Sequence, residues 1–209
     1  MYKVALEKLT HDLPLEKMKH VVSFNHTYLV ITRNVRVLAR HEAFEHPEFL
    51  TRFDKVFADY YFSALKGFLN NDVIPEAWKI AFDLEESGRV SSFIAMALGV
   101  NAHVNNDIAQ ALLDSKAQKM HYKDYLKVND IIIDSIKEVI DSLPGNTKFY
   151  GPKNTLLRPM YKLLMGFLIK RWRRKAWKKY LSLKSDSHYV RTIERDAAFK
   201  ARLLAHLPI

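Results

Sequence analysis

The sequence predicts an all-α, single-domain bundle of about seven helices with a buried polar cluster. Among 209 residues there are only 6 glycines and 7 prolines, and such a composition favours long helices. Apolar residues recur at steps of three and four in successive segments, whereas strand-like alternation and hairpin signals are lacking. A chain of this length fits one domain, so we expect residues 1–209 to fold as a single unit.

Each predicted helix is a stretch of helical apolar spacing bounded by turn residues. Pro47 suits the first turn of the second helix, Pro75 opens a short third one, and Ser87-Gly88 ends it. We expect His121 to be exposed in a polar connection, and the segment from Pro144 to Asn154 to be a connection rather than a lid. The expected helices cover, approximately, residues 14–43, 47–70, 75–87, 89–115, 123–143, 156–183 and 187–207.

Composition restricts the classes of function. The net charge of +10 permits binding to nucleic acid or an anionic membrane surface without establishing it. The absence of cysteine excludes disulfides and thiolate metal sites, so a divalent metal would have nitrogen and oxygen ligands. No apolar stretch reaches the roughly 18 residues of a transmembrane segment, and the first residues do not resemble a signal peptide, so we expect a soluble, cytoplasmic protein.

The fourth predicted helix carries polar residues where a buried helix should be apolar. Met96, Val100, His103, Asp107 and Ala111 form one stripe, which places His103 and Asp107 one turn apart on an inward face. Burying a carboxylate is costly, so Asp107 requires a partner: a cation, a metal or hydrogen-bond donors. Glycine in mid-helix also costs stability, and its presence directly upstream at position 99 indicates close approach by a neighbouring element.

Other helices add polar residues to their inward faces: Asn25, Asp54, Asn129 and Arg173. Arg173 is a natural partner for Asp54 or for the carboxylate of the central stripe. The segment from Lys170 to Lys179 is strongly basic, and helical spacing directs most of its charged side chains, Lys179 among them, outward. A solvated helix face is the favoured interpretation of that segment, ahead of a nucleic-acid or membrane surface.

The stretch GVNAHVNNDIAQAL, from Gly99 to Leu112, resembles the signature of an uncharacterised bacterial family, the domain of unknown function five-nine-nine-five. Weaker matches, among them Phe24-Asn25 and Ala77-Trp78, extend the resemblance over roughly residues 21 to 180, although His26 stands where the family pattern has arginine. The resemblance implies a helical domain without an established activity. It points to Asn25, Asp54, His103, Asn106, Asp107, Asn129 and Arg173.

Three functions remain open at this level. In the first, the cluster is a small-ligand or catalytic site, with Asp54, His103 and Asp107 as catalytic candidates. Asn25, Asn106, Asn129 and Arg173 would then bind the substrate, and a small anionic ligand is one candidate for it.

In the second, His103, Asp107 and Asp54 hold a divalent metal of a phosphoester hydrolase. The His-x-x-x-Asp pair is similar to one in zinc-dependent phospholipase C and single-strand nucleases, but the later histidine of that group is missing. In the third, the cluster is structural and the basic helix binds an anionic partner. The sequence has no phosphate loop, nucleophile elbow or dinucleotide fingerprint, which disfavours kinases, serine hydrolases and Rossmann enzymes.

Overall fold

The computed structural model describes residues 22–39, 44–143 and 158–206, and over these ranges the protein is all-α, without a strand. The predicted fold class is confirmed: an all-α, single-domain helical fold with seven helical rods in the described part of the chain. We use the term central helix for the continuous rod formed by α4, a π-helical turn and α5. The bounds are α1 Val22–Ala39, α2 Pro47–Leu69, α3 Glu76–Glu86, α4 Ser92–Asn101, the π-helical turn Ala102–Asp107, α5 Ile108–Asp114, α6 Tyr122–Asp141, α7 Arg158–Ser185 and α8 Val190–Ala205.

The proline and glycine residues predicted to begin or end helices lie at helix ends in the structure. Pro47 occupies the first turn of α2, and Pro75 precedes the first residue of α3. At the end of α3, Gly88 adopts a φ of 64°, a left-handed conformation that glycine takes without steric cost. The predicted start of the first helix and the loop from Pro144 to Asn154 lie outside the described residues.

The central helix is the axis of the fold because it is apolar on almost every side. Its α4 portion has no charged residue, and a helix that is apolar all round is stable only when buried. It accordingly packs against α1, α2, α3, α7 and α8. The close approach that Gly99 predicts is present: a Cβ at this position would lie 2.6 Å from the side chain of Phe24 on α1.

Two predictions about exposure are wrong. His121 is buried, because its ring stacks on Phe49 with centroids 4.0 Å apart and its Nδ1 accepts a hydrogen bond from the backbone N–H of Gln118. Lys179 turns inward instead of into solvent, where its ammonium pairs with Asp196 of α8. In both cases a tertiary partner overrides what the polarity of the local segment indicates.

Within the described ranges, no helix combines the length and the apolar character that a transmembrane span needs.

Candidate ligand-binding site

The central helix changes its hydrogen-bonding pattern where its polar residues begin. Ala102–Asp107 forms a π-helical turn, a rare conformation that is frequent at functional sites. Within it, the Nδ1 atom of His103 lies 2.9 Å from a carboxylate oxygen of Asp107. Both residues are buried, with exposed fractions of 4% and 1%. The predicted pair is therefore present, although the helix that carries it is not a regular α-helix.

The carboxylate of Asp107 is held by donors from three residues. The indole Nε1 of Trp78 on α3 lies 3.0 Å from one oxygen, and the amide Nδ2 of Asn106 lies 2.9 Å from the other. His103 supplies the third hydrogen bond. Several hydrogen bonds to a charged group offset the free-energy cost of removing it from water. This arrangement indicates that Asp107 positions the imidazole of His103 and is not itself exposed for reaction.

The imidazole of His103 is confined by aromatic rings. Phe57 of α2 stacks on it with ring centroids 3.5 Å apart and planes at 10°. The rings of four further residues lie within 6.1 Å of it: Phe24, Tyr28, Tyr61 and Trp78. Such packing holds the side chain of His103 in one orientation.

The protonation state of His103 follows from these contacts. Burial lowers the pKa of His103, and this effect outweighs the opposing effect of Asp107, so the ring is neutral at pH 7. A neutral ring that faces a carboxylate through Nδ1 carries its proton on that nitrogen. The other nitrogen, Nε2, is buried, has an unprotonated lone pair and has no hydrogen-bond partner among the described residues.

A cavity of about 440 Å³ lies beside His103 and extends between α1, α2, α4, α6 and α7. This volume falls within the range of small-molecule sites. The wall is mainly aliphatic and aromatic. Its side chains include Phe24, Ile31, Val35, Leu50, Phe53, Phe57, Met96, Val100, Val104, Val128, Ile132, Ile136, Val139, Ile140, Met165, Ile169 and Trp172. The polar side chains on the wall are Asp54, His103 and Arg173, together with the hydroxyl-bearing residues Thr27, Tyr28, Thr32 and Thr51.

Asp54 is a partly buried carboxyl group on an apolar wall. Burial raises the pKa of Asp54 to about 7, because the surroundings disfavour the charged form. The predicted ion pair with Arg173 is wrong: among the described residues, no lysine or arginine lies within ion-pair distance of Asp54 or Asp107, and the contact of Asp107 with His103 is a hydrogen bond to a neutral ring. Asp54 therefore exchanges a proton near neutral pH inside the cavity.

Arg173 is 3% exposed. Its Nη2 donates to the backbone carbonyl of Tyr125, 3.1 Å away, and its guanidinium lies 4.3 Å above the Tyr125 ring. Burial raises the pKa of Tyr125 to about 12, so the phenol stays neutral and gives the guanidinium no counter-charge. The Nε atom of Arg173 is buried and has no hydrogen-bond partner in the described part of the chain.

The remaining predicted residues lie behind the wall. Asn106 supports Asp107, as described above. Asn25 is buried and accepts a hydrogen bond from the hydroxyl of Tyr61. Asn129 is buried on α6, and its amide oxygen has no partner in the ranges described. None of these three asparagines is among the described wall residues, so only Asp54, His103 and Arg173 of the predicted set meet at the cavity.

The metal hypothesis requires three ligands in one place. Over the described ranges, no three histidine or acidic side chains gather in a way that could hold a metal ion. The Nδ1 atom of His103 and both oxygens of Asp107 are already engaged by protein groups. The arrangement therefore gives no support to the predicted metal site.

The opposite side of the π-helical turn carries a second polar network. Asn101 donates to the carbonyl of Ala197, and Asn105 donates to Asn101. Lys200 donates to Asn105 at 2.9 Å and to Asp196 at 2.7 Å. Lys179 completes the network through Asp196 and the backbone carbonyl of Asn105. This network, Asn101–Asn105–Lys179–Asp196–Lys200, joins the central helix to α7 and α8.

The predicted basic surface is smaller than its sequence indicates. Lys170 pairs with Asp130 at 3.0 Å, and Lys179 belongs to the network just described. Arg171, Arg174, Lys175 and Lys178 are exposed on α7.

Sequence reasoning missed three residues that shape the site: Trp78, Phe57 and Tyr125. Their bulk and apolar spacing predict core positions, which they occupy or border. The donor role of Trp78 had one available signal, since a buried indole N–H needs an acceptor. The stacking of Phe57 and Tyr125 on His103 and Arg173 depends on the packing of separate helices, which periodicity does not encode.

Comparison with known proteins agrees with the resemblance in the central signature. A model of a family of unknown function, DUF5995, matches residues 4–207. No curated protein and no solved structure matches the chain. Since the family model spans nearly all of the sequence and the central signature lies on the helix that builds the site, the chain belongs to the DUF5995 family of unknown function.

Proposed function

We propose that the protein binds a small, mainly apolar organic molecule in the cavity beside His103. The observation that carries this proposal is a cavity of about 440 Å³ with an apolar wall and three convergent titratable side chains, Asp54, His103 and Arg173. Small-molecule sites have this composition: apolar surface supplies affinity, and a few fixed polar groups orient the ligand.

Unused hydrogen-bonding capacity supports the proposal. Buried polar atoms in folded proteins are almost always paired, yet His103 Nε2 and Arg173 Nε have no partner in the described residues. Both residues line the same cavity. A ligand that accepts from the guanidinium or donates to the imidazole removes the free-energy cost of these unpaired groups.

Binding of Nile red, a neutral dye that fluoresces in apolar surroundings, tests the proposal. We expect the wild-type protein to bind the dye with saturation. Val100→Trp and Val128→Trp add bulk at the cavity wall and should each reduce binding at least about tenfold. Val37→Trp is the matched control, because Val37 is exposed on α1 and is not among the wall residues.

Circular dichroism establishes that each variant is folded. Unchanged dye binding by a folded variant at Val100 or Val128 would refute the cavity as the binding site. Native mass spectrometry of the purified protein adds an independent readout, since a retained ligand appears as extra mass that the same two substitutions remove.

Acid–base catalysis on the bound molecule is a second candidate. The neutral imidazole of His103, oriented by Asp107, has the arrangement of a general base, and Asp54 would exchange a proton near neutral pH. We infer that His103 accepts a proton in such a reaction, that Asp107 positions it, and that Asp54 returns one.

Hydrolysis of p-nitrophenyl esters with apolar acyl chains tests this candidate. A general base at His103 predicts that wild-type protein releases p-nitrophenol faster than His103→Gln by about a hundredfold. Glutamine keeps a polar side chain but cannot take a proton. Equal rates for the two proteins, with Nile red binding retained, would exclude proton abstraction from water by His103 and leave the binding proposal intact.

A further inference from the structure

The described wall of the cavity carries one cation, the guanidinium of Arg173, and this cation has no ionised partner in the described residues. A buried charge without a partner is costly, and proteins retain one only where something compensates it. We propose that the ligand of the cavity is an organic acid, an apolar molecule with a single carboxylate that pairs with Arg173. This inference rests on the proposed binding function and names its ligand class.

The protein's own groups compensate Arg173 only in part. The carbonyl of Tyr125 accepts one hydrogen bond, and the ring of Tyr125 lies below the guanidinium at 4.3 Å. Both are neutral groups. Asp54, the acidic side chain on the same wall, is not within ion-pair distance of Arg173, and its carboxyl is half protonated at neutral pH. Among the described residues, therefore, no ionised group balances this positive charge.

The geometry of the guanidinium favours a carboxylate. Arginine presents its donors in a planar fork that matches the two oxygens of a carboxylate. The Nε donor is unpaired, and the opposing Tyr125 contact engages only Nη2. A single cation neutralises a single negative charge, whereas a phosphate monoester, with nearly two charges at pH 7, would retain uncompensated charge against an apolar wall.

The side chains near Arg173 indicate the chemistry of the rest of the ligand. Next to Arg173 on α7 are Ile169 and Trp172, and α6 contributes Ile132 and Ile136. These side chains offer no hydrogen bonds except the indole N–H, so the body of the acid is hydrocarbon or aromatic. His103 Nε2 is an unpaired acceptor, but the atom itself is buried, so a hydroxyl on the molecule would reach it only after neighbouring side chains shift.

Binding of a matched set of ligands tests the inference. Dodecanoate, 1-dodecanol and dodecyl phosphate share one alkyl chain and differ in the head group, and each is measured by displacement of Nile red. We expect wild-type protein to bind dodecanoate about tenfold or more tightly than the alcohol, because a charge-assisted hydrogen bond is gained. It should also prefer dodecanoate to the phosphate.

Variants at Arg173 assign the effect to the guanidinium. Arg173→Met should weaken dodecanoate binding about tenfold and leave the alcohol within about twofold, since only the charged contact is lost. Arg173→Lys keeps the charge without the planar fork. Its affinity for dodecanoate should therefore lie between those of the wild type and Arg173→Met. Arg174→Met is the control: the residue is adjacent in sequence but exposed, and its replacement should change neither ligand.

The outcomes separate this inference from the binding proposal. If the acid and the alcohol bind equally, and Arg173→Met changes neither, the cavity binds apolar molecules but carboxylate recognition is refuted. Tighter binding of dodecyl phosphate, lost in Arg173→Met, would also refute it in favour of a phosphate ester. If Nile red itself does not bind, the binding proposal fails first. If Arg173→Met does not fold, Arg173→Lys alone decides, because intact carboxylate preference there would contradict a role for the fork.

Discussion

The two sides of the π-helical turn carry similar polar residues but differ in how completely these are paired. On the α8 side, the network Asn101–Asn105–Lys179–Asp196–Lys200 joins amides, two ammonium groups and a carboxylate, and its side-chain groups find protein partners. On the cavity side, His103 Nε2 and Arg173 Nε have none among the described residues. The protein pairs the polar groups on one face of the turn, which we call the closed side, and leaves buried polar atoms unpaired on the other, the open side.

This difference distinguishes polar groups that the protein itself pairs from polar groups that the described residues leave unpaired. A buried polar network that satisfies its own members fixes the packing of the helices that it joins. A buried polar atom without a partner lowers stability, and the proposed ligand would supply that partner for the two residues that line the cavity, His103 and Arg173. Composition does not distinguish the two sides, since each contains amide and charged groups. The distinction lies in the pairing.

The largest expected effect on stability comes from removing the carboxylate of Asp107, which accepts hydrogen bonds from three buried residues. Asp107→Ala leaves the donors of Trp78, Asn106 and His103 unpaired in the core. We expect the free energy of unfolding to fall by about 3 to 5 kcal/mol. Urea denaturation measures it.

Asp83→Ala is the control for this experiment. Asp83 forms an exposed ion pair with Lys79 on α3, and such pairs contribute about 0.5 kcal/mol or less. A loss at position 107 no larger than at position 83 would show that the carboxylate does not hold the imidazole in place.

The open side also predicts a dependence of stability on pH. The pKa of Asp54 is about 7 in the folded protein against roughly 3.9 in an unfolded chain, so folded Asp54 binds the extra proton between these values. Its contribution to stability is therefore present at about pH 4 and is lost as the pH rises through 7. Asp54→Asn should be more stable than wild type by about 4 kcal/mol at pH 8, with the gain vanishing near pH 4.

Chemical denaturation at a series of pH values measures this difference. Asp59→Asn, an exposed residue on the same helix α2, is the control and should change stability by less than about 0.5 kcal/mol throughout. A stability gain at position 54 that does not depend on pH would mean that its carboxyl is ionised over the whole range.

The closed side should affect stability without affecting the ligand. Asn105→Ala removes the hydrogen bonds of its amide to Asn101 and Lys200. We expect a loss of about 1.5 kcal/mol in the free energy of unfolding, with Nile red and dodecanoate affinities unchanged within about twofold. If this variant weakened dodecanoate binding as strongly as Arg173→Met, the two sides would not be separate and the comparison would fail.

Helical spacing predicted much of the fold and part of the site. The pair of His103 and Asp107 was predictable because residues four apart remain neighbours even where the helix widens into a π-helical turn. The inward direction of Arg173 followed in the same way. Gly99 predicted a close approach by a neighbouring element, because glycine in mid-helix is retained where a Cβ does not fit. The structure shows that the neighbour is Phe24.

What the sequence could not predict depends on packing between helices. The partner of Arg173 is a ring and a backbone carbonyl on α6, and neither has a charge that would mark it as a partner. Trp78 on α3 donates to Asp107, but apolar periodicity does not predict how α3 is positioned against the central helix. The cavity is the space left between the side chains of several helices. Its presence therefore cannot be predicted from any single segment of the sequence.

The smallest effect is spectroscopic and concerns the state of His103. Its Nδ1 faces Asp107 and burial lowers the pKa of His103, so the ring should be neutral and protonated on Nδ1 at pH 7. ¹⁵N-resolved NMR of the histidine rings distinguishes this tautomer from the alternative and from imidazolium, and the signal missing from His103→Gln identifies the residue. Because the pKa is lowered, the neutral form should remain the major one at pH 6.5, the usual pKa of histidine.

Addition of a ligand extends this measurement to the open nitrogen. A hydroxylated acid that occupies the cavity should shift the Nε2 resonance, because its hydroxyl donates to the lone pair, whereas the simple alkyl acid should leave that resonance nearly unchanged. An imidazolium at pH 7, or a proton on Nε2, would show that this nitrogen is not an acceptor. The unpaired atom on the cavity side would then be a donor, and the ligand would have to offer an acceptor to both His103 and Arg173.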